Sequence, residues 1–204
     1  MATMPHLICN TEIRAILDLE GEKMKYKQTI LLNNGKEALI RNADESDGND
    51  VFEIFNRTHE ETDYLLSYPD ENSFGPEQEA QFLKEKAISP NETELIAIVD
   101  GKIVATAGIE AVGTKYKVKH RADFGISVLK EYWGLGLGKA LTEACIQCAK
   151  DAGYEQVELN VVAENDRAIS LYQNFGFVEY GRNPRGFNSK ITGYQELVYM
   201  LLEL

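Results

Sequence analysis

An α+β fold of α/β/α layers is predicted, with a mixed, mostly antiparallel sheet around a central parallel βαβ unit and helices flanking it. Three observations carry this. Ala122 to Leu129 alternates Phe124, Ile126 and Val128 against Asp123, Gly125 and Ser127, the period of a strand. Leu137, Ala140, Leu141, Ala144, Cys145 and Cys148 then recur at the spacing of a helix packed on a sheet. Gln156 to Val162 reads as a second strand, and a right-handed crossover through that helix sets it parallel to the first.

The remaining elements follow in chain order. Residues 1 to about 30 fit this architecture poorly and are read as an N-terminal extension, leaving residues 31–204 as a single domain. Thr11 to Lys27 is read as an extra helix, or else translation begins at Met24, because Glu20-Gly21-Glu22-Lys23 suits the purine-rich codons of a bacterial ribosome-binding site. Lys36 to Arg41 is the expected first strand. Asp44-Glu45-Ser46-Asp47 is a helix-start cluster for a helix reaching about Thr58. Glu60 to Phe74, with Tyr64, Tyr68 and Pro69, is a loop, and Pro76 opens a second helix that ends near Ile88. Leu95 to Val99 and Ile103 to Ala111 form a hairpin about Asp100-Gly101. Asn165 caps a last helix on which Ala168, Leu171, Tyr172 and Phe175 share a face. Phe177 to Gly181 and Tyr194 to Leu202 close the sheet as a second hairpin. Between them Arg182 to Thr192 is expected as a long loop, a candidate lid over an acceptor.

A chain of 204 residues can bury one full core, and 26% charged residues is ordinary for a globular protein. No apolar run approaches a membrane span, and Leu7-Ile8-Cys9 is too short for a secretory signal, so the expected compartment is cytoplasmic. Cys9, Cys145 and Cys148 have no disulfide framework spacing. With His6, His59 and His120 scattered, no metal site is assigned. The net charge of −12 is concentrated. Asp44 to Glu79 holds twelve acidic residues against the single Arg57, which excludes a nucleic-acid surface. Such a segment is either a solvated face or a field that draws a cationic amine.

Trp133-Gly134-Leu135-Gly136-Leu137-Gly138 lies where the first strand of the βαβ unit meets its helix. Glycines there permit positive φ and close approach of an anion. The free N–H groups of the first helical turn, with the positive dipole end, then form a phosphate cradle, and Lys139 adds a charge. A tight turn that binds nothing is the plain alternative. A nicotinamide turn fits poorly, since its G-x-G-x-x-G spacing is absent and Gln156 stands where an acidic ribose ligand is expected.

On these residues the chain resembles the GNAT superfamily of N-acetyltransferases, over roughly residues 94 to 181. The family's Q/R-x-x-G-x-G/A turn is matched at Gly136 and Gly138, with Trp133 replacing the usual Gln or Arg. Its N-x-x-A-x-x-L-Y-x-x-x-G-F motif is matched at Asn165, Ala168, Leu171, Tyr172, Gly176 and Phe177. The resemblance implies acetyl-CoA as co-substrate, without a metal. It would be held by Ile126, Ser127 and Val128, by the turn residues Trp133, Gly134, Leu135, Gly136, Leu137, Gly138 and Lys139, and by Asn165, Arg167, Ala168 and Tyr172. It also implies direct attack of a primary amine on the thioester, the acceptor being a small cationic amine or a protein N-terminus. A non-catalytic acyl-CoA sensor of the same fold is the alternative.

An alkyl amine titrates near 10, so a base must take its proton. Asp123, beside the turn, is the first candidate, Glu158 the second, and Glu60 or Glu61 would act through water. A backbone N–H near Ile126 to Leu129 would hold the oxyanion. Tyr172 would meet the leaving sulfur. A phenol near 10 gives its proton to a thiolate near 8.5 only uphill, by about 2 kcal/mol, so Tyr172 is expected to donate a hydrogen bond. Dimerisation through the last strand is left open.

Overall fold

The structure, a computed structural model, describes residues 25–204. Its sheet has eight strands in the order β1-β2-β3-β4-β5-β6-β8-β7. They are β1 (Lys27–Leu31), β2 (Glu37–Asn42), β3 (Thr93–Val99), β4 (Lys102–Ala111), β5 (Arg121–Val128), β6 (Gln156–Val162), β7 (Val178–Ser189) and β8 (Gly193–Glu203). Four helices flank it: α1 (Gly48–Glu61), α2 (Pro76–Ile88), α3 (Leu137–Asp151) and α4 (Asp166–Asn174). Every strand pair is antiparallel except β5–β6, so the mixed α+β class and the central parallel unit stand as expected.

Local chemistry starts each element. The Asp44 carboxylate caps the turn that leads into α1, and Arg41 grips Asp47 with two bonds of 2.7 Å. Pro76 stands in the first turn of α2. Asp100 and Gly101, both at positive φ, turn β3 into β4. On α3 the residues Leu137, Leu141, Ala144, Cys145, Cys148 and Ala149 are buried against β3, β4 and β5. Leu137 and Leu141 each contribute about 1.5–3 kcal/mol by this burial. Cys145 and Cys148 are free core thiols, and burial pushes Cys148 up to about 11, far from a reactive thiolate.

The structure corrects several expectations. Lys36 to Arg41 belongs to the second strand, because β1 precedes it and pairs with it from Lys27↔Arg41 to Leu31↔Glu37. Residues 27–30 are therefore part of the sheet rather than of an extension, and Lys27 starts a strand. The rest of the helix expected from Thr11, and Met24 itself, lie outside the described residues. β1 is an edge strand with four of its five residues exposed, so no alternation marked it. The first helix runs on to Glu61.

Arg182 to Thr192 is not a loop, since β7 continues to Ser189. Its register shifts at Glu179/Gly181 and Asn183/Phe187. An outer strand tolerates Pro184 and Gly186, which a central strand would not. Finally, the last strand β8 is paired on both sides, with β6 and β7, so it offers no edge to a second copy. Among the described residues no helix is long and apolar enough to cross a membrane.

Candidate active site

β5 and β6 pair over three positions only, Arg121↔Gln156, Ala122↔Val157 and Asp123↔Glu158, although both strands run on. Beyond Asp123 they diverge and leave a cleft of about 660 Å³. The β4–β5 ladder tells which backbone groups face it. Val112 N–H donates to the Arg121 carbonyl and Leu129 N–H to the Val104 carbonyl, so odd-numbered residues turn their backbone edge to β4. The N–H and C=O groups of Phe124, Ile126 and Val128 therefore point into the opening. The Val128 carbonyl is taken by the Trp133 indole N–H at 2.7 Å.

At the outer end stands the N-terminus of α3. Gly134 and Gly136 hold φ of +76° and +97°, which L side chains rarely adopt, and Gly136 is the helix N-cap with no capping side chain. The first-turn N–H groups are thus left for an anion. Arg167, at the start of α4, lies over the Trp133 ring at 5.8 Å and adds positive charge beside them. Asn33, in the β1–β2 hairpin, braces the turn: its N–H donates to the Leu135 carbonyl and its Nδ2 to the Gly134 carbonyl, both at 3.0 Å. Asn165 caps α4 by accepting from Ala168 N–H at 3.2 Å, which leaves its amide N–H₂ for a ligand.

Tyr172 lies on α4 and is 6% exposed. Phe124 meets its ring edge-on at 6.1 Å, and Phe177 lies tilted against it at 5.8 Å. Among the described residues nothing hydrogen-bonds its hydroxyl, which borders the cleft; burial pushes its pKa well up, so the proton stays on. The ring is buried, but the hydroxyl opens on the cleft, free to donate to a ligand there. Asp123 also lines the cleft. Burial first, then the Glu158 and Glu110 carboxylates, raise it above the ordinary range.

Of the predicted residues, Asp123, Ile126, Ser127, Val128, Trp133, Gly134, Gly138, Asn165, Arg167, Ala168 and Tyr172 line this one cleft. Leu135, Gly136, Leu137 and Lys139 form the turn but not the wall, and the Leu137 side chain is fully buried in the core. Glu158 is also outside the wall. Arg121 clamps both its oxygens, Gln156 adds a bond of 2.7 Å, and the guanidinium holds the carboxyl below its usual range. A carboxylate so paired is a poor proton acceptor, so its effect is on Asp123. Glu61 is likewise spent, on Lys130 N–H at 2.7 Å and on Arg57. None of the twelve acidic residues of the Asp44–Glu79 segment lines the cleft.

Sequence reasoning placed an acceptor lid at Arg182–Thr192 but singled out none of the residues that form the roof. Thr58, Thr62, Tyr64, Leu65 and Leu66 line the cleft from α1 and the segment after it, together with Phe187 and Leu197. Glu61 ties this segment to the end of β5, and Asp63 ties it to β7 and β8 through Ser189 Oγ at 2.6 Å and Gln195 Nε2 at 3.2 Å. These contacts are distant in sequence and have no local signal. Asn33 had one, the Asn34-Gly35 turn that follows it.

Fold and site together define a class, an α+β protein whose split parallel pair leads from an uncapped helix N-terminus to a buried Tyr. The chain belongs to the Acetyltransferase (GNAT) family, whose model matches residues 49–177. The acetyltransferase of GNAT family from Streptococcus pneumoniae is 32% identical, with a TM-score of 0.78 over 82% of this chain and 99% of that one. The yncA structure from Salmonella typhimurium, solved with its cofactor acetyl-CoA, shares the fold at 19% identity and a TM-score of 0.73, covering 82% and 94% of the two chains. The L-amino acid N-acetyltransferase AaaT of Escherichia coli is 33% identical over 89 residues, 43% of this chain and 54% of that protein. The chain spans about half or less of the length of the curated relatives it matches.

Proposed function

We propose that this chain moves an acetyl group from acetyl-CoA to a primary amine by direct attack in a ternary complex. The observation that carries the reading is the Tyr172 hydroxyl, which opens on the cleft without a partner among the described residues, beside the uncapped α3 N-terminus. The residues fit the co-substrate. First-turn N–H groups and Arg167 suit its pyrophosphate, and the outward backbone edge of Phe124, Ile126 and Val128 suits the amides of its pantetheine arm. Asn33→Ala should slacken the turn and weaken acetyl-CoA binding about 5- to 30-fold, as the Gly134 carbonyl loses its side-chain donor while the backbone bond to Leu135 remains. Calorimetric titration measures it.

Asp123 takes the amine proton, the nitrogen attacks the thioester carbon, and the C–S bond breaks. The backbone N–H groups facing the opening hold the carbonyl oxygen, and Tyr172 donates a hydrogen bond to the sulfur. Only ionised Asp123 accepts a proton, and its pKa is raised. Activity therefore rises with pH through a value above the ordinary carboxylate range. Asp123→Asn should remove that rise and lower turnover by about 10²- to 10⁴-fold. An unchanged pH profile would reassign the base.

For the acceptor, the cleft supports an amine on an apolar body rather than a polycation. Its walls include Tyr64, Leu65, Leu66, Phe187 and Leu197, while the acidic segment is spent on structural contacts such as Asp47–Arg41 and Asp63–Ser189. Coenzyme A release would be compared for phenethylamine, peptides with Leu or Met at the N-terminus, spermidine and an aminoglycoside. Preference for the first two supports the reading, and preference for the polycations overturns the acceptor assignment. No release, with acetyl-CoA shown to bind, overturns the enzymatic one.

A further inference from the structure

Two cleft positions take no part in the chemistry above. β5 and β6 part after the pair Asp123↔Glu158, and the next residues on that face of the sheet are Gly125 on β5 and Asn160 on β6, each two places further on. Both line the cleft. Gly125 has no conformational reason to be glycine, since it lies inside β5 and is not among the glycines at positive φ. It has no packing reason either: a Cβ added there would meet nothing within 4 Å. Gly108, its partner on β4, is the contrast, because a Cβ there would overlap the Glu94 carboxyl. A glycine inside a strand weakens it and often marks the close approach of another group. At Gly125 no protein group makes that approach.

The two faces of β5 have different tasks. Phe124 touches Tyr172, so α4 lies on the side to which Phe124 turns. Asp123, Gly125 and Ser127 alternate with it and turn to the other side. Asn160 is on that side too, two residues after Glu158, whose partner is Asp123. The leaving sulfur, met by Tyr172, and the acceptor, whose proton Asp123 takes, therefore reach the split from opposite faces. Gly125 is the floor over which the amine arrives. Asn160 stands across the split from it, exposed to the cleft, and its amide has no hydrogen-bond partner among the described residues.

We propose that Gly125 and Asn160 select the acceptor: the bare glycine gives room to the carbon that bears the amine, and the Asn160 amide binds a carboxamide on that carbon. The proposal rests on the acetyl-transfer reading above. An Asn side chain donates through its N–H₂ and accepts through its oxygen, which matches the C=O and N–H of a peptide unit. The amine then lies by Asp123, and the side chain of the same carbon meets the apolar walls at Leu65, Leu66 and Leu197. The substrate class is an α-amino amide, an amino-acid amide or a peptide N-terminus, rather than an alkylamine. Asn160 is no base, so it binds and orients the acceptor and leaves the pH dependence set by Asp123 as it is.

The test compares leucinamide with isopentylamine, the same amine without its carboxamide, as acceptors for wild type, Asn160→Ala, Gly125→Ala and Gly125→Val. Asn160→Ala should lower kcat/KM for leucinamide about 10-fold, keep that for isopentylamine within about 2-fold and retain the wild-type pH profile. Each acceptor is compared with itself, so the amines' own pKa values cancel. Gly125→Ala should lower kcat/KM for leucinamide about 10-fold and Gly125→Val more than about 10²-fold, with acetyl-CoA affinity by calorimetry unchanged in both. The melting temperature of Gly125→Ala should hold or rise, because its methyl enters open space. Equal losses for both acceptors in Asn160→Ala overturn the amide contact. Wild-type kcat/KM for leucinamide in a glycine variant, or lost acetyl-CoA affinity in a folded one, overturns the role of Gly125. If Gly125→Val does not fold, the alanine variant decides. A wild type that acetylates isopentylamine but not leucinamide overturns the acceptor class and leaves acetyl transfer standing. One that binds acetyl-CoA yet releases no coenzyme A with any amine fails the acetyl-transfer reading, and the proposal with it.

Discussion

Tyr172→Phe is expected to lower acetyl-transfer turnover by about 10²- to 10⁴-fold while leaving acetyl-CoA affinity nearly unchanged. The substitution removes one oxygen and keeps the ring, so the ring contacts with Phe124 and Phe177 survive. The hydroxyl faces the cleft without a protein partner among the described residues, and burial keeps its proton on well beyond any assay pH. It is therefore a standing donor. What disappears is a hydrogen bond to a charge that exists only as the C–S bond breaks, which is why turnover and not binding should respond. Folding stability should change by less than about 1 kcal/mol, because the hydroxyl has no protein partner to lose. Steady-state kinetics beside calorimetric titration of acetyl-CoA separate the two quantities. Wild-type turnover in the variant would remove Tyr172 from the mechanism.

Gly136→Val should act in the opposite way, abolishing coenzyme binding by more than about 10²-fold before turnover can be asked about. Gly136 holds φ of +97°, where a β-branched residue costs about 1–3 kcal/mol, and it is the N-cap from which α3 starts. The helix relieves that strain by re-winding its first turn, which moves the N–H groups that would meet the pyrophosphate. Asn33 then loses its register with Gly134 and Leu135. A titration with acetyl-CoA, with circular dichroism to show that the fold persists, measures the effect. Near-normal affinity in a folded variant would place the phosphates elsewhere.

These two variants fall on the two features most legible in the chain. Gly134, Gly136 and Gly138 between a strand pattern and a helix pattern, and the run from Asn165 to Phe177, are local signals, because turn conformation, capping and helix-face spacing depend on residues close in sequence. The hairpin at Asp100-Gly101, the start of α2 at Pro76 and the core stripe of α3 were legible for the same reason. Strands at the sheet's rim were not. β1 is solvated and carries no alternation, and β7 hides its length behind Pro184, Gly186 and two register shifts.

Chain order and local pattern by themselves determined the parallel βαβ unit, the glycine-rich helix start and the helix that carries Tyr172. Only the tertiary structure decided how those parts become a site. The divergence of β5 from β6 after Asp123 opens the cleft, and Arg121 takes Glu158 out of contention as a base. Asn33 reaches the turn from 101 residues away, and Asp63 pins the roof to Ser189 across 126. The physical reason is common to all: backbone conformation is decided by neighbours along the chain, whereas the partner of a side chain is decided by what the folded sheet brings beside it.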